Sequence, residues 1–298
     1  MSRKALAATL SVLSNSLLVV LKLAVGIASG SVSIIAEAIH SANDLIAALL
    51  ALFSVRIAER PPDKEHPYGH GKAESISAAA EAILIVAAAL WIVVEAVQKI
   101  LKPQPLEHLG WGTAVMVVSV VVNIMVSRHL FRVAREEDSP ALEADAYHLA
   151  TDVYTSLGVA GALVVVWFTG WHVVDPLVAI GVALLILRVG LGLTMRSLHH
   201  LMDSQLPMAE VSRIEGILNG ERRIHSWHNL RTRKSGNMRH IDLHIVFRND
   251  ASLLEAHQVA DELEKRISQE LAPAHVVIHV DPYDPQKEMT VVEHSSQE

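Results

Sequence analysis

Two short words in this 298-residue chain set an imidazole and a carboxylate four residues apart: His40 and Asp44 in AIHSAND, and His148 and Asp152 in YHLATD. Residues at i and i+4 project from one face of a helix, so each word presents one nitrogen and one oxygen donor to a common point. Should the two segments meet, the four side chains make a His2Asp2 set, the ligand number and type that suit tetrahedral Zn2+. The chain contains no cysteine, so thiolate sites and disulfides are excluded and any metal must be held by His, Asp, Glu or backbone oxygen.

Two further clusters could ligate a metal. The segment PPDKEHPYGHGKAE carries Asp63, His66 and His70 within eight residues, and its Pro and Gly residues permit turns that aim them inward. Nearer the C-terminus stand His225, His228, His240, His244, His257, His275 and His279. Strand alternation puts His240 and His244 on one face, as it does His275 and His279, but spacing alone does not select the ligands.

The elements that must position these residues are of two kinds. Hydrophobic residues make up 51% of the chain while aromatics are only 4%, an aliphatic balance suited to lipid-facing helices. Six windows reach the roughly 20 apolar residues that span a bilayer: 8–28, 32–56, 76–98, 111–131, 143–168 and 173–194. Gly30, Pro61-Pro62, Pro103 with Pro105, Pro140 and Gly170 separate them. Both His/Asp words fall inside such windows, the second and the fifth, where ionisable groups are costly and mark functional positions. Asn15, Lys22, Asn43 and Asn123 also lie in these windows, and packing or snorkelling accounts for them. The N-terminal run continues well past a signal-peptide core and contains Lys22, so it reads as a first membrane helix.

Basic residues favour the cytoplasmic side. Arg3, Lys4, Arg56, Arg60, Lys64, Lys72, Arg128, Arg132, Arg135 and Arg196 fall at one set of connections, against Lys99 and Lys102 at the other. Both termini are therefore expected in the cytoplasm. From about residue 207 the pattern becomes that of a soluble αββαβ domain with its helices on one face of a sheet. The division expected is 1–205 for the six-helix membrane domain, 206–284 for the α+β domain, and 285–298 for a polar, disordered tail. A formal net charge of −7 argues against nucleic acid as a partner, and no GxxxxGK[ST] or HExxH word is present.

On these residues the chain resembles the cation diffusion facilitator family over nearly its whole length, most nearly its bacterial zinc and iron efflux members. The resemblance implies a six-helix transmembrane domain with a cytoplasmic ferredoxin-like domain, a homodimer in the bacterial inner membrane, and exchange of metal for protons. It places His40, Asp44, His148 and Asp152 on the transport site, and Asp63, His66 and His70, with the adjoining YGHGKAE, on a loop metal site. It places His228, His244, His257, His279 and Asp281 on a binuclear cytoplasmic zinc site, leaving His225, His240 and His275 as surface bystanders. The bacterial members tend to carry Asp where this chain has His40; a second imidazole resembles the zinc-selective branch. The expected function is export of Zn2+, as substrate and as structural or regulatory ion, with Fe2+, Cd2+ and Mn2+ as the other candidates. The alternatives are an intramembrane metallohydrolase, for which Glu37 near His40 would be the base, and a membrane-anchored metal sensor.

Overall fold

A computed structural model describes residues 1–101, 111–171 and 173–284. The tail expected at 285–298, and Lys102, Pro103 and Pro105 of the third connection, lie outside the described residues. The chain divides into two compact units, Met1–Leu201 and Met202 onward.

The first unit holds six helices: α1 (Arg3–Ser29), α2 (Val32–Ala58), α3 (Lys72–Leu101), α4 (Trp111–Glu137), α5 (Pro140–Thr169) and α6 (Val174–Leu201). All six are long and apolar enough to cross a membrane. Most outrun the apolar windows at one or both ends, because capping chemistry rather than hydropathy sets the ends. The Ser2 hydroxyl accepts from the Ala5 amide to open α1, and Gly30, at φ 66°, closes it in the left-handed conformation that glycine adopts without strain. Ser139 caps α5, with Pro140 in its first turn.

The starts of α1, α3 and α5 share one end of this unit with the finishes of α2, α4 and α6. Lys4 Nζ lies 2.6 Å from Glu74 Oε1, and the Ser139 hydroxyl donates to the same carboxylate. This buried trio joins α1, α3 and α5 near their first turns. Deeper in, Leu52 and Val55 of α2 pack with Leu130 and Val133 of α4, Leu142 and Leu149 of α5, and the small Ala5, Ala7 and Ala8 of α1. A second cluster joins Ala82, Ile85 and Ala89 of α3 to Ile186 and Leu193 of α6. The α3–α6 approach is close: a Cβ on Gly190 would stand 2.8 Å from a Val86 methyl and 3.3 Å from its backbone nitrogen. Small residues at such a crossing are what packing between membrane helices requires.

The second unit runs α7 (Met208–Asn219), β1 (Ser226–Ser235), β2 (Met238–Phe247), α8 (Leu253–Glu270) and β3 (Ala274–Pro282). The sheet order is β1-β2-β3, antiparallel then parallel. The alternating Ile241, Leu243, Ile245 and Phe247 of β2 pack with Val211, Ile214 and Leu218 of α7 and Val259, Leu263 and Ile267 of α8. Both helices therefore cover one face, as the αββαβ order and the period-two pattern require.

Candidate metal centres

In the first unit, α2 and α5 run in opposite directions, since one starts where the other finishes. Two copies of the same His-x3-Asp word on antiparallel helices must match crosswise, each histidine meeting the other helix's aspartate. That is the arrangement observed: His40 Nε2 lies 3.7 Å from Asp152 Oδ1, and His148 Nε2 lies 3.2 Å from Asp44 Oδ1. Single donor atoms of His40, Asp44 and Asp152 all fall within 4.8 Å of one another, and His148 joins through its contact with Asp44.

The pairing is burial-graded. Asp44 is 5% exposed and His148 is buried, whereas the His40 side chain faces a cavity of about 350 Å3. Asp152 also lines that cavity, which extends along α3 toward Lys99 and along α6 toward Asp175, away from the Lys4–Glu74–Ser139 end. Asp152 Oδ2 and His148 Nδ1 are buried without a hydrogen-bond partner among the described residues. Such atoms are rare in folded chains, and a cation with His and carboxylate donors would satisfy the aspartate oxygen.

Lys22 does not snorkel. It is 5% exposed, and its ammonium lies 3.1 Å from Glu37 Oε2 and 2.8 Å from the Ser41 hydroxyl of α2. Two further acids are enclosed in this unit without belonging to either His/Asp word. Glu81 of α3 and Asp145 of α5 are fully buried, and Glu81 accepts from the Ser77 hydroxyl at 3.2 Å. Both are acids inside apolar windows, the signal that singled out Asp44 and Asp152, but neither belongs to the repeated His-x3-Asp word, although Asp145 stands three residues before His148.

The connection between α2 and α3 brings Asp63, His66 and His70 together. His66 Nδ1 is 3.4 Å from Asp63 Oδ1, His70 Nε2 is 3.3 Å from Oδ2, and the two rings are 4.6 Å apart. Backbone amides of His66 and Glu65 donate to Asp63 Oδ1 at 2.7 and 3.0 Å. The His66 amide bond is the chief reason the Asp63 carboxyl sits below its ordinary value, against a small opposing effect of burial.

The second unit builds its cluster from strand register. His228 pairs with His244 across β1 and β2, and His244 with His279 across β2 and β3, so the three imidazoles form one row on the face away from the helices. Asp281, two residues beyond His279, returns to the same face. Its carboxylate lies 2.9 Å from His244 Nδ1, 3.5 Å from His228 Nε2 and 3.4 Å from His279 Nε2. Burial pushes the Asp281 carboxyl up, but the His244 hydrogen bond and the charges of His244, His279 and His228 outweigh it, holding the group below its ordinary range. His228, His244 and Asp281 have the spacing to hold one ion.

His257 stands apart from this row: it is exposed on α8, with Asp261 as its neighbour at 3.7 Å. His225 and His275 are exposed, as expected of bystanders, but His240 is not a surface residue. It is 6% exposed, with Arg233 and His275 as its cross-strand partners. Its place in the middle strand of the sheet buries it, which alternation by itself does not reveal.

Comparison with known proteins agrees with both units. The family model described as the cation efflux transmembrane domain matches residues 8–202, and the one described as the cation efflux protein cytoplasmic domain matches 206–283. The cation-efflux pumps FieF of Salmonella newport and Salmonella typhimurium are each 36% identical to this chain over 281 residues, covering 94% of it and 92% of themselves. Among solved structures, the metal-bound C-terminal domain of the CzcD transporter from Thermotoga maritima aligns at 24% identity over 25% of this chain and 88% of its own, with a TM-score of 0.25.

Proposed function

Starting from the fact that this chain belongs to the cation efflux family, the cation diffusion facilitators, we propose that it exports Zn2+ from the cytoplasm in exchange for protons, through His40, Asp44, His148 and Asp152. As a family member it is an integral membrane transporter and not an enzyme, so the metallohydrolase reading falls. The observation that supports the choice of ion is the crossed pairing: each helix's imidazole meets the other helix's carboxylate, and single donor atoms of His40, Asp44 and Asp152 lie within 4.8 Å of one another. Two nitrogens and two oxygens at tetrahedral number favour Zn2+ over Mn2+, which prefers an all-oxygen, six-fold shell, and over Fe2+ or Cd2+.

Proton coupling follows from the same ligands. An imidazole binds metal only in its neutral form, so metal entering the site displaces protons, and reprotonation of His40 or His148 on the far side weakens metal binding. The membrane is the bacterial inner membrane, and both termini lie in the cytoplasm. Supporting this, Arg3, Lys4, Arg56, Arg60, Arg135 and Arg196 sit at the helix ends that share the Lys4–Glu74–Ser139 face. The test is Zn2+ uptake into inverted vesicles. An acid-inside gradient should accelerate it, and uptake indifferent to the gradient rejects antiport.

The cytoplasmic row serves regulation in this reading. Zn2+ held by His228, His244, His279 and Asp281 favours association of the cytoplasmic domains of two copies and biases the homodimer toward transport. His257, set apart from the row, and the Asp63, His66 and His70 loop supply further Zn2+ ligands. A sensor without transport would bind Zn2+ in liposomes and give no flux.

A further inference from the structure

The arrangement around Lys22 carries an inference about metal selectivity, which rests on the transport-site reading above. Glu37 lies one helical turn before His40 on α2 and lines the same cavity as His40 and Asp152. Its carboxylate is nevertheless outside the group of donor atoms formed by His40, Asp44 and Asp152. It points instead to Lys22, whose ammonium spans one turn of α2 by holding Glu37 Oε2 at 3.1 Å and the Ser41 hydroxyl at 2.8 Å.

An ammonium this deeply buried among membrane helices is costly and persists only where it is paired. Here it has two effects on the neighbouring site. With Glu37 neutralised, the carboxylates left among the donor atoms are those of Asp44 and Asp152, matched to a divalent ion. With Glu37 turned aside, the donors stay at two nitrogens and two oxygens. A freed Glu37, whose side chain is 43% exposed and lines the cavity, would add oxygen donors within reach of the ion. Added carboxylate oxygens favour cations of higher coordination number and harder ligand preference, of which Mn2+ is the simplest probe.

We infer that Lys22 is a specificity-determining residue: by sequestering Glu37 it keeps the His40, Asp44, His148 and Asp152 site four-coordinate and excludes cations that need a larger oxygen shell. Specificity of this kind comes from what is withheld from the wrong ligand as much as from what is offered to the right one.

The test measures equilibrium binding of Zn2+ and of Mn2+ to the full-length protein in nanodiscs, counting only the component lost in Asp152→Ala, with flux followed in parallel in proteoliposomes. Lys22→Met should raise Mn2+ affinity relative to Zn2+ by about tenfold, the worth of one charge-assisted contact. The double variant Lys22→Met/Glu37→Gln, which removes the pair without leaving a lone buried charge, should return the ratio to that of the unaltered protein. An unchanged ratio in Lys22→Met, or a double variant that keeps the shifted ratio, overturns the inference. Those outcomes leave the transport reading intact. Absent flux with a shifted ratio would count against transport and not against Lys22, and absence of any Zn2+ component lost with Asp152 would sink both.

Discussion

The donors between α2 and α5 and the donors on the three-stranded sheet are drawn from the same two side-chain types, yet they are brought together by different devices. In the membrane unit, helical spacing supplies each pair and antiparallel packing crosses them, so His40 meets Asp152 and His148 meets Asp44. On the sheet, cross-strand register sets His228, His244 and His279 in a single row, and Asp281 reaches all three. The membrane donors are brought together by side-chain packing of two separate helices, whereas the row is tied by backbone hydrogen bonds through its middle strand. Burial differs too: Asp44 and His148 are enclosed, while the row is half open to water. Under the proposed function the first construction would serve an ion that is loaded and released, and the second an ion that is held.

The largest effect that would separate the two is Asp44→Ala. Transport in proteoliposomes should fall by more than the roughly 10–100-fold that follows loss of even an outer partner of a metal ligand, while Zn2+ binding to the sheet row stays unchanged. Retained transport would break the comparison at its first term. Next comes His244→Ala, which removes the middle member of the row. Zn2+ affinity of the cytoplasmic unit should fall about 10-fold or more, and the metal dependence of transport should move without loss of maximal rate. His257→Ala should have a smaller effect on that affinity, because His257 is outside the row; an equal effect would mean that it joins the ligands in the working protein.

Acid should weaken Zn2+ binding at the row, because an imidazole binds metal only in its neutral form. Ordinary histidine titrates near pH 6.5, so Zn2+ affinity should decline as pH falls from about 7 to about 5. Asp281, held below the ordinary carboxylate range, keeps its charge across that window. Calorimetric titration of Zn2+ at a series of pH values reads this directly. The smallest effect belongs to His240. Burial first, then the neighbouring Arg233 and His275, hold its imidazole below the ordinary value. The unfolded chain therefore takes up a proton more readily than the folded one, and this contribution to stability is complete above about pH 6.5 and lost as pH falls through the folded value. Proteolysis of the second unit in chelator should quicken with acid, and His240→Phe should flatten that dependence.

Six helices and an αββαβ unit were legible in the chain because bilayer thickness and strand alternation both write themselves into residue order. The ends of the helices were less so. α3 begins at Lys72, four residues ahead of its apolar window, because Lys72 and Glu74 extend a helix regardless of hydropathy and Glu74 finds its partners in Lys4 and Ser139. Lys22 shows the same limit at the site: a lysine in an apolar run reads as snorkelling until its neighbours are known.

What the residue order determined by itself was the local half of each candidate metal centre: a repeated His-x3-Asp word, a turn-rich loop with three donors, and histidines in phase on strands. Those spacings are fixed by the helix and strand repeats, which are local properties of the backbone. Only the tertiary structure decided which donors face each other, that Glu37 is held by Lys22 instead of joining His40, that His257 is set apart from the row, and that His240 is buried. Each of these depends on a partner far away in the chain, and distance along the chain carries no record of who that partner is.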